Sequence, residues 1–120
     1  MRPEDDLQSV EKRTVHDWGA MSWHMDDTIQ PGADVSVATM MVLPGKTSPA
    51  HRHDNVNEVI HVIKGTAEQR VGNRWATVAA GSTVFVPKGA IHQTQNIGDA
   101  PVSMLISYSG GNRHYEEVEP

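Results

Sequence analysis

Four side chains stand out by type and spacing: His51, His53, Glu58 and His92. His51 and His53 are two residues apart. In an extended strand both project from one face, about 7 Å apart along it, and Arg52 points the other way. The polar run Asp54-Asn55-Val56-Asn57 reads as a turn that returns Glu58 beside the two rings. Two imidazoles and a carboxylate suit a borderline divalent cation, nitrogen serving Fe, Mn, Ni, Cu, Co or Zn and oxygen the harder members. His92 is the candidate fourth ligand. It follows the Pro87-Lys88-Gly89 turn, where Pro87 ends ladder donation and Gly89 tolerates positive φ. The expected cofactor is one divalent transition metal per chain. Its uses would be Lewis-acid polarisation, water activation and orientation of a small-molecule substrate.

The elements that must position these groups are short. Residues 20–25 alternate, with Met21, Trp23 and Met25 on one face, as in a half-buried strand. Further strands are expected over 35–43, near 50–53, and over 58–64, 82–86, 91–96 and 102–108, with a hairpin pairing 67–71 and 75–79 about Gly72-Asn73. Eight or nine strands at this rhythm, without a helical segment, predict an all-β sandwich or barrel. Residues 1–19 read as an N-terminal arm, 20–109 as the barrel and 110–120 as an acidic C-terminal tail outside it. The strand over 58–64 carries Ile60 and Val62 on one face and Val59 and Ile63 on the other. Both faces therefore need cover, which predicts a homodimer.

Composition narrows the setting. The 120 residues suffice for one domain. A formal charge of −5 argues against binding nucleic acid or an anionic membrane surface. The chain has no cysteine, so no thiolate ligand, Cys nucleophile or disulfide is available. No apolar stretch reaches bilayer length, and the acidic start Glu4-Asp5-Asp6 lacks the apolar segment of a secretory signal. A soluble, cytoplasmic protein is expected.

Two motifs sharpen the reading. Gly45, His51, His53, Glu58 and Gly65 satisfy Gly-(x)5-His-x-His-(x)4-Glu-(x)6-Gly, and Gly81, Pro87, Gly89, His92 and Asn96 satisfy Gly-(x)5-Pro-x-Gly-(x)2-His-(x)3-Asn. The pair resembles the two motifs of the cupin superfamily, and the short spacer between them is similar to that of small single-domain cupins. Ser82 departs from the pattern, since many relatives carry Asp after that glycine. The resemblance implies a double-stranded β-helix jelly roll with one metal held by His51, His53, Glu58 and His92. By analogy it also favours dioxygenase-type oxidation of a small oxygenated chelating substrate. Isomerase or lyase chemistry, with Glu58 as base, is the alternative, and a non-catalytic small-molecule or metal-binding cupin is another.

The remaining pocket candidates rest on strand parity alone. Tyr108 and Met104 share a face of the last strand, and Tyr108 is a candidate proton or hydrogen-bond donor. Thr94, in phase with His92, and Met41 are candidate substrate contacts. Asn96 is expected to stabilise a turn. His61 is expected to pack away from the metal, His24 to be solvated, and His16 and His114 receive no role.

Overall fold

Alternation of apolar and polar residues sets the architecture. A computed structural model describes residues 12–120. Its strands are β1 (Lys12–His16), β2 (Gly19–Met25), β3 (Ser36–Val42), β4 (His51–Arg52), β5 (Glu58–Lys64), β6 (Thr66–Val71), β7 (Arg74–Ala79), β8 (Thr83–Val86), β9 (His92–Gln95), β10 (Val102–Tyr108) and β11 (Glu116–Glu117). They form an antiparallel six-stranded sheet, β1-β2-β3-β10-β5-β8, and a five-stranded sheet, β11-β4-β9-β6-β7. The fold is an all-β jelly roll, as expected. Among the described residues no helix is long and apolar enough to cross a membrane.

Inward rows of the larger sheet run in register across three strands. Val62, Met104 and Met40 align, then Ile60, Ile106 and Ala38, then Glu58, Tyr108 and Ser36. All nine are buried. Burying each large apolar side chain contributes about 1.5–3 kcal/mol. The interior is therefore apolar at one end and polar at the other, and the polar row closes the end where the histidines converge. Asn96 ties the end of β3 to the turn that precedes β10. Its amide nitrogen donates to the Val42 and Ala100 carbonyls at 3.0 and 2.8 Å, and its oxygen accepts from the Gly98 amide at 2.9 Å. This is the turn-stabilising role its sequence position suggests.

Both chain ends depart from the sequence reading. Residues 12–16, read as part of an arm, form β1 and pair with β2; residues 1–11 lie outside the described residues. The tail folds back: Glu116 and Glu117 pair with Arg52 and His51 of β4. The Val118 amide donates to the Ala50 carbonyl at 3.0 Å, and Asn55 exchanges side-chain hydrogen bonds with the Asn112 carbonyl and the His114 amide. Gly111 makes this docking possible, because a Cβ there would stand 1.9 Å from the Ala33 carbonyl oxygen. The ladder depends on backbone groups left open along β4, not on apolar side chains, so hydrophobic alternation gave no sign of it.

The outer face of β5 is uncovered among the described residues. Val59 and Ile63 are 39% and 51% exposed, beside Phe85 at 58% and Leu105 at 39% on the neighbouring strands.

Candidate metal centre

The site forms where the two sheets meet. β4 lies beside β9, with His51 directly opposite His92. Residues 54–57 do not make a hairpin; they carry the chain from β4 in one sheet to β5 in the other. Glu58 therefore faces the rings from the opposite sheet, in register with Tyr108. The second-motif turn is locked to the first motif: the Gly89 amide donates to the His53 carbonyl at 2.8 Å, with Gly89 at φ +85°.

The three rings are held in one tautomer. The Nδ1 atoms of His51, His53 and His92 lie 2.8, 2.7 and 3.0 Å from the carbonyl oxygens of Pro49, His114 and Ala90. A carbonyl only accepts, so each Nδ1 carries a proton and each Nε2 presents a lone pair. One ligand atom from each ring falls within 4.8 Å of the others. Glu58 Oε1 stands 3.2 Å from His53 Nε2 and 2.9 Å from His92 Nε2, yet none of these three buried atoms makes a hydrogen bond. Lone pairs of nitrogen and oxygen facing one another at this range repel unless a cation lies among them. A single proton would satisfy one such contact, whereas a divalent metal satisfies the set. The donors fit a metal.

His51 and Glu58 stand in their ligating charge states. Burial lowers the His51 pKa to about 3, and the neighbouring His92 pushes the same way, so that ring stays neutral. Burial opposes ionisation of Glu58, but N–H donation and positive charge from His53 and His92, the part a bound cation would otherwise play, overcome it and hold the carboxyl at about 2. Burial pulls His92 down, and the Glu58 carboxylate more than offsets it, leaving the net shift upward. Tyr108 is pushed well above its ordinary value, by burial first and by the Glu58 charge second, so its phenol keeps its proton.

A cavity of about 310 Å³ opens beside the cluster, bordered by His51, Glu58, His92, Thr94 and Tyr108. Three sequence expectations need correcting. Met41 lies on the outer face of β3, and Met40 takes the inward position and borders the cavity, because the inward phase of β3 is Ser36-Ala38-Met40-Val42. Met104 points inward but sits deeper in the core, fully buried between Met40 and Val62, and does not reach the cavity wall. Thr94 reaches the wall, but its hydroxyl donates to Gln69 Oε1 at 2.6 Å, which commits its proton to a cross-strand neighbour. His24 is half-buried and bonds Thr39 Oγ1 at 2.8 Å, so it is not simply solvated.

Sequence reasoning missed one wall. Trp23 of β2 stacks on Tyr108, with centroids 5.7 Å apart, and Arg113 and Tyr115 of the tail complete that side. His16, stacked on Trp18 at 4.8 Å, also borders the opening. Strand phase pointed to Trp23 as half-buried, but no local signal placed Arg113 or Tyr115, because their segment is positioned by backbone pairing.

Comparison with known proteins agrees with this architecture. The profile described as "Cupin domain" matches residues 38–108. Mannose-1-phosphate guanylyltransferase 2 of Escherichia coli O157:H7 is 28% identical over 88 residues, covering 73% of this chain and 18% of that protein. Germin-like protein 1-1 of Oryza sativa subsp. japonica is 31% identical over 80 residues, covering 62% and 37%. Among solved structures, a Lactobacillus farciminis oxalate decarboxylase formate complex superposes with TM-score 0.82 at 24% identity, covering 90% of this chain and 33% of the other. A structure of oxalate oxidase superposes with TM-score 0.79 at 27% identity, covering 88% and 57%. The chain spans less than two thirds of the length of each.

Proposed function

This chain belongs to the cupin domain family, and from that premise we propose that it is a metal-dependent enzyme performing dioxygenase-type oxidation of a small oxygenated substrate. One divalent transition metal would be held by the Nε2 atoms of His51, His53 and His92 with the Glu58 carboxylate. The observation carrying the reading is the set of three converging, carbonyl-fixed rings, two of whose free nitrogens face a buried, unbonded carboxylate oxygen. When bound, the metal supplies Lewis acidity and, if it is Fe, Mn or Cu, redox chemistry.

The protein's own groups do the rest. The Pro49, His114 and Ala90 carbonyls keep the rings in the ligating tautomer. Tyr108, buried and protonated, is positioned to donate a hydrogen bond to a substrate oxygen in the cavity. Trp23, Met40 and Ile106 give that cavity an apolar wall that excludes water and strengthens each polar contact inside. Relatives of known structure include proteins named for oxalate, a small chelating acid, which supports an oxygen-rich substrate here.

Protein purified without added metal is expected to hold about one transition-metal ion per chain by elemental analysis. With a chelating hydroxy acid, diketone or catechol it is expected to consume dioxygen. Turnover that persists unchanged without oxygen would replace this reading with an isomerase or lyase, and a ligand recovered intact would replace it with a binding protein.

We place the protein in the cytoplasm as a homodimer. The absence of cysteine fits a reducing compartment. The apolar outer face around Val59, Ile63, Phe85 and Leu105 supports pairing. Sedimentation at micromolar concentration should give twice the 13.2 kDa chain mass; a monomer would remove the dimer.

A further inference from the structure

Arg113 is the arginine on the cavity wall, and its surroundings are unusual for that residue. Its guanidinium carbon lies 4.3 Å from the Trp23 ring centroid, 5.3 Å from that of Tyr115 and 5.7 Å from that of Tyr108. Three aromatic faces hold the charge and orient the planar group. Among the described residues its N–H groups meet no carboxylate within ion-pair distance and no hydrogen-bond acceptor. The Asp26 carboxylate, which shares a shallow groove with Arg113, accepts through Oδ1 from the Thr28 and Ile29 amides and the Thr28 hydroxyl. The Glu117 carboxylate accepts from the Tyr115 hydroxyl.

The same rings connect Arg113 to the metal ligands. His51 lies 4.9 Å from Tyr115, and His53 lies 5.3 Å from Tyr108. Arg113 therefore stands one ring away from the chelating groups, on the cavity wall beside Tyr108 and Tyr115 and not among the ligands. An arginine with free donors, steadied by rings and facing a cavity, is built to receive a planar oxyanion in a two-point contact.

We propose that Arg113 anchors a carboxylate of the substrate, so that the ligand is an organic acid with its metal-chelating oxygens at one end and a second carboxylate at the other. This rests on the metal reading above and names the substrate class that the reading leaves open. It also separates this site from one suited to oxalate alone, whose two carboxylates can both be engaged at the metal.

Calorimetry on Mn(II)-loaded protein tests it, with metal content measured on every sample. L-lactate offers a chelating 2-hydroxy acid end alone; L-malate and the longer 2-hydroxyglutarate add a remote carboxylate. At least one of the two diacids should bind about 10–100-fold more tightly than lactate, the range of a charge-assisted, two-point contact. In Arg113→Gln that preference should fall to near unity, with lactate affinity and metal content unchanged. Arg113→Lys should retain part of it. An undiminished preference in Arg113→Gln, or none in the wild type, overturns the assignment, as does phosphoglycolate outcompeting both diacids. Should the wild type take up no Mn(II), the metal reading fails on its own. Arg113 is then judged by diacid binding to the metal-free protein, which must weaken in Arg113→Gln for the anchor to stand.

Discussion

The double variant His51→Ala/His53→Ala is expected to lose bound metal, from about one ion per chain to less than a tenth, and to remain a folded β domain. The two rings contribute little to the apolar core, which is built from β2, β3, β5 and β10 with single residues from other segments. Their removal nonetheless takes half the donor set and leaves Glu58 Oε1 facing His92 alone. A ligand that binds only the native state stabilises it by about 4 kcal/mol when present at a thousand times its dissociation constant. For a domain of this size that corresponds to a Tm about 10–20 °C lower in the variant than in the metal-loaded wild type. Chelator-treated wild type should melt close to the variant, because both then lack the same linkage. Stoichiometric metal in the double variant would sink the ligand assignment. A variant without strand signal in far-UV circular dichroism would show that the rings also carry the fold. In that case the milder His51→Gln is the comparison to make, and it should lower metal affinity in a folded protein.

How far the sequence reached depends on which force positions each residue. Where burial or a turn sets the position, the pattern was legible. Strand β5 is bounded at 58 and 64 by punctuation, a polar run before it and Gly65 after it, although both its faces read as apolar. Strand β10 emerged at 102–108 for the same reason. The convergence of His51, His53, Glu58 and His92 was legible because the turns between them are marked by Pro87, Gly89 and a polar run. The error at Met40 and Met41 has a simple origin. Two adjacent methionines satisfy either phase of a strand, and only the neighbouring rows, Ala38 with Ile106 and Val42 with Val102, decide it. Arg113 and Tyr115 were illegible for a deeper reason. Their segment reaches the barrel through backbone amides and carbonyls, and any sequence offers those groups.

That hidden segment also makes a strong demand on the site. Ending the chain at Gly111 is expected to weaken metal affinity about 10–100-fold while the barrel stays folded, since none of the core residues lies beyond that point. The truncation removes the His114 carbonyl that accepts from His53 Nδ1 at 2.7 Å, and with it the constraint that aims His53 Nε2 at the metal position. Water can replace the lost acceptor, but it does not fix the ring. The expected loss corresponds to about 1.4–2.8 kcal/mol of binding free energy. Among the tail's other contacts, the two-residue ladder to β4 and the Asn55 pair are partly exposed, and each hydrogen bond adds only about 1 kcal/mol to folding. Stability should therefore fall by less than the whole tail's hydrogen bonds suggest, while metal titration changes markedly. Two full-length variants separate the causes. Arg113→Gln should bind metal like the wild type, because it leaves the His114 carbonyl in place. Asn55→Ala, which frees the tail from its two side-chain bonds, should fall between the wild type and the truncation. Wild-type metal affinity in the truncated chain would mean that His53 is oriented from within the barrel, and that the tail serves only the cavity wall around Arg113 and Tyr115.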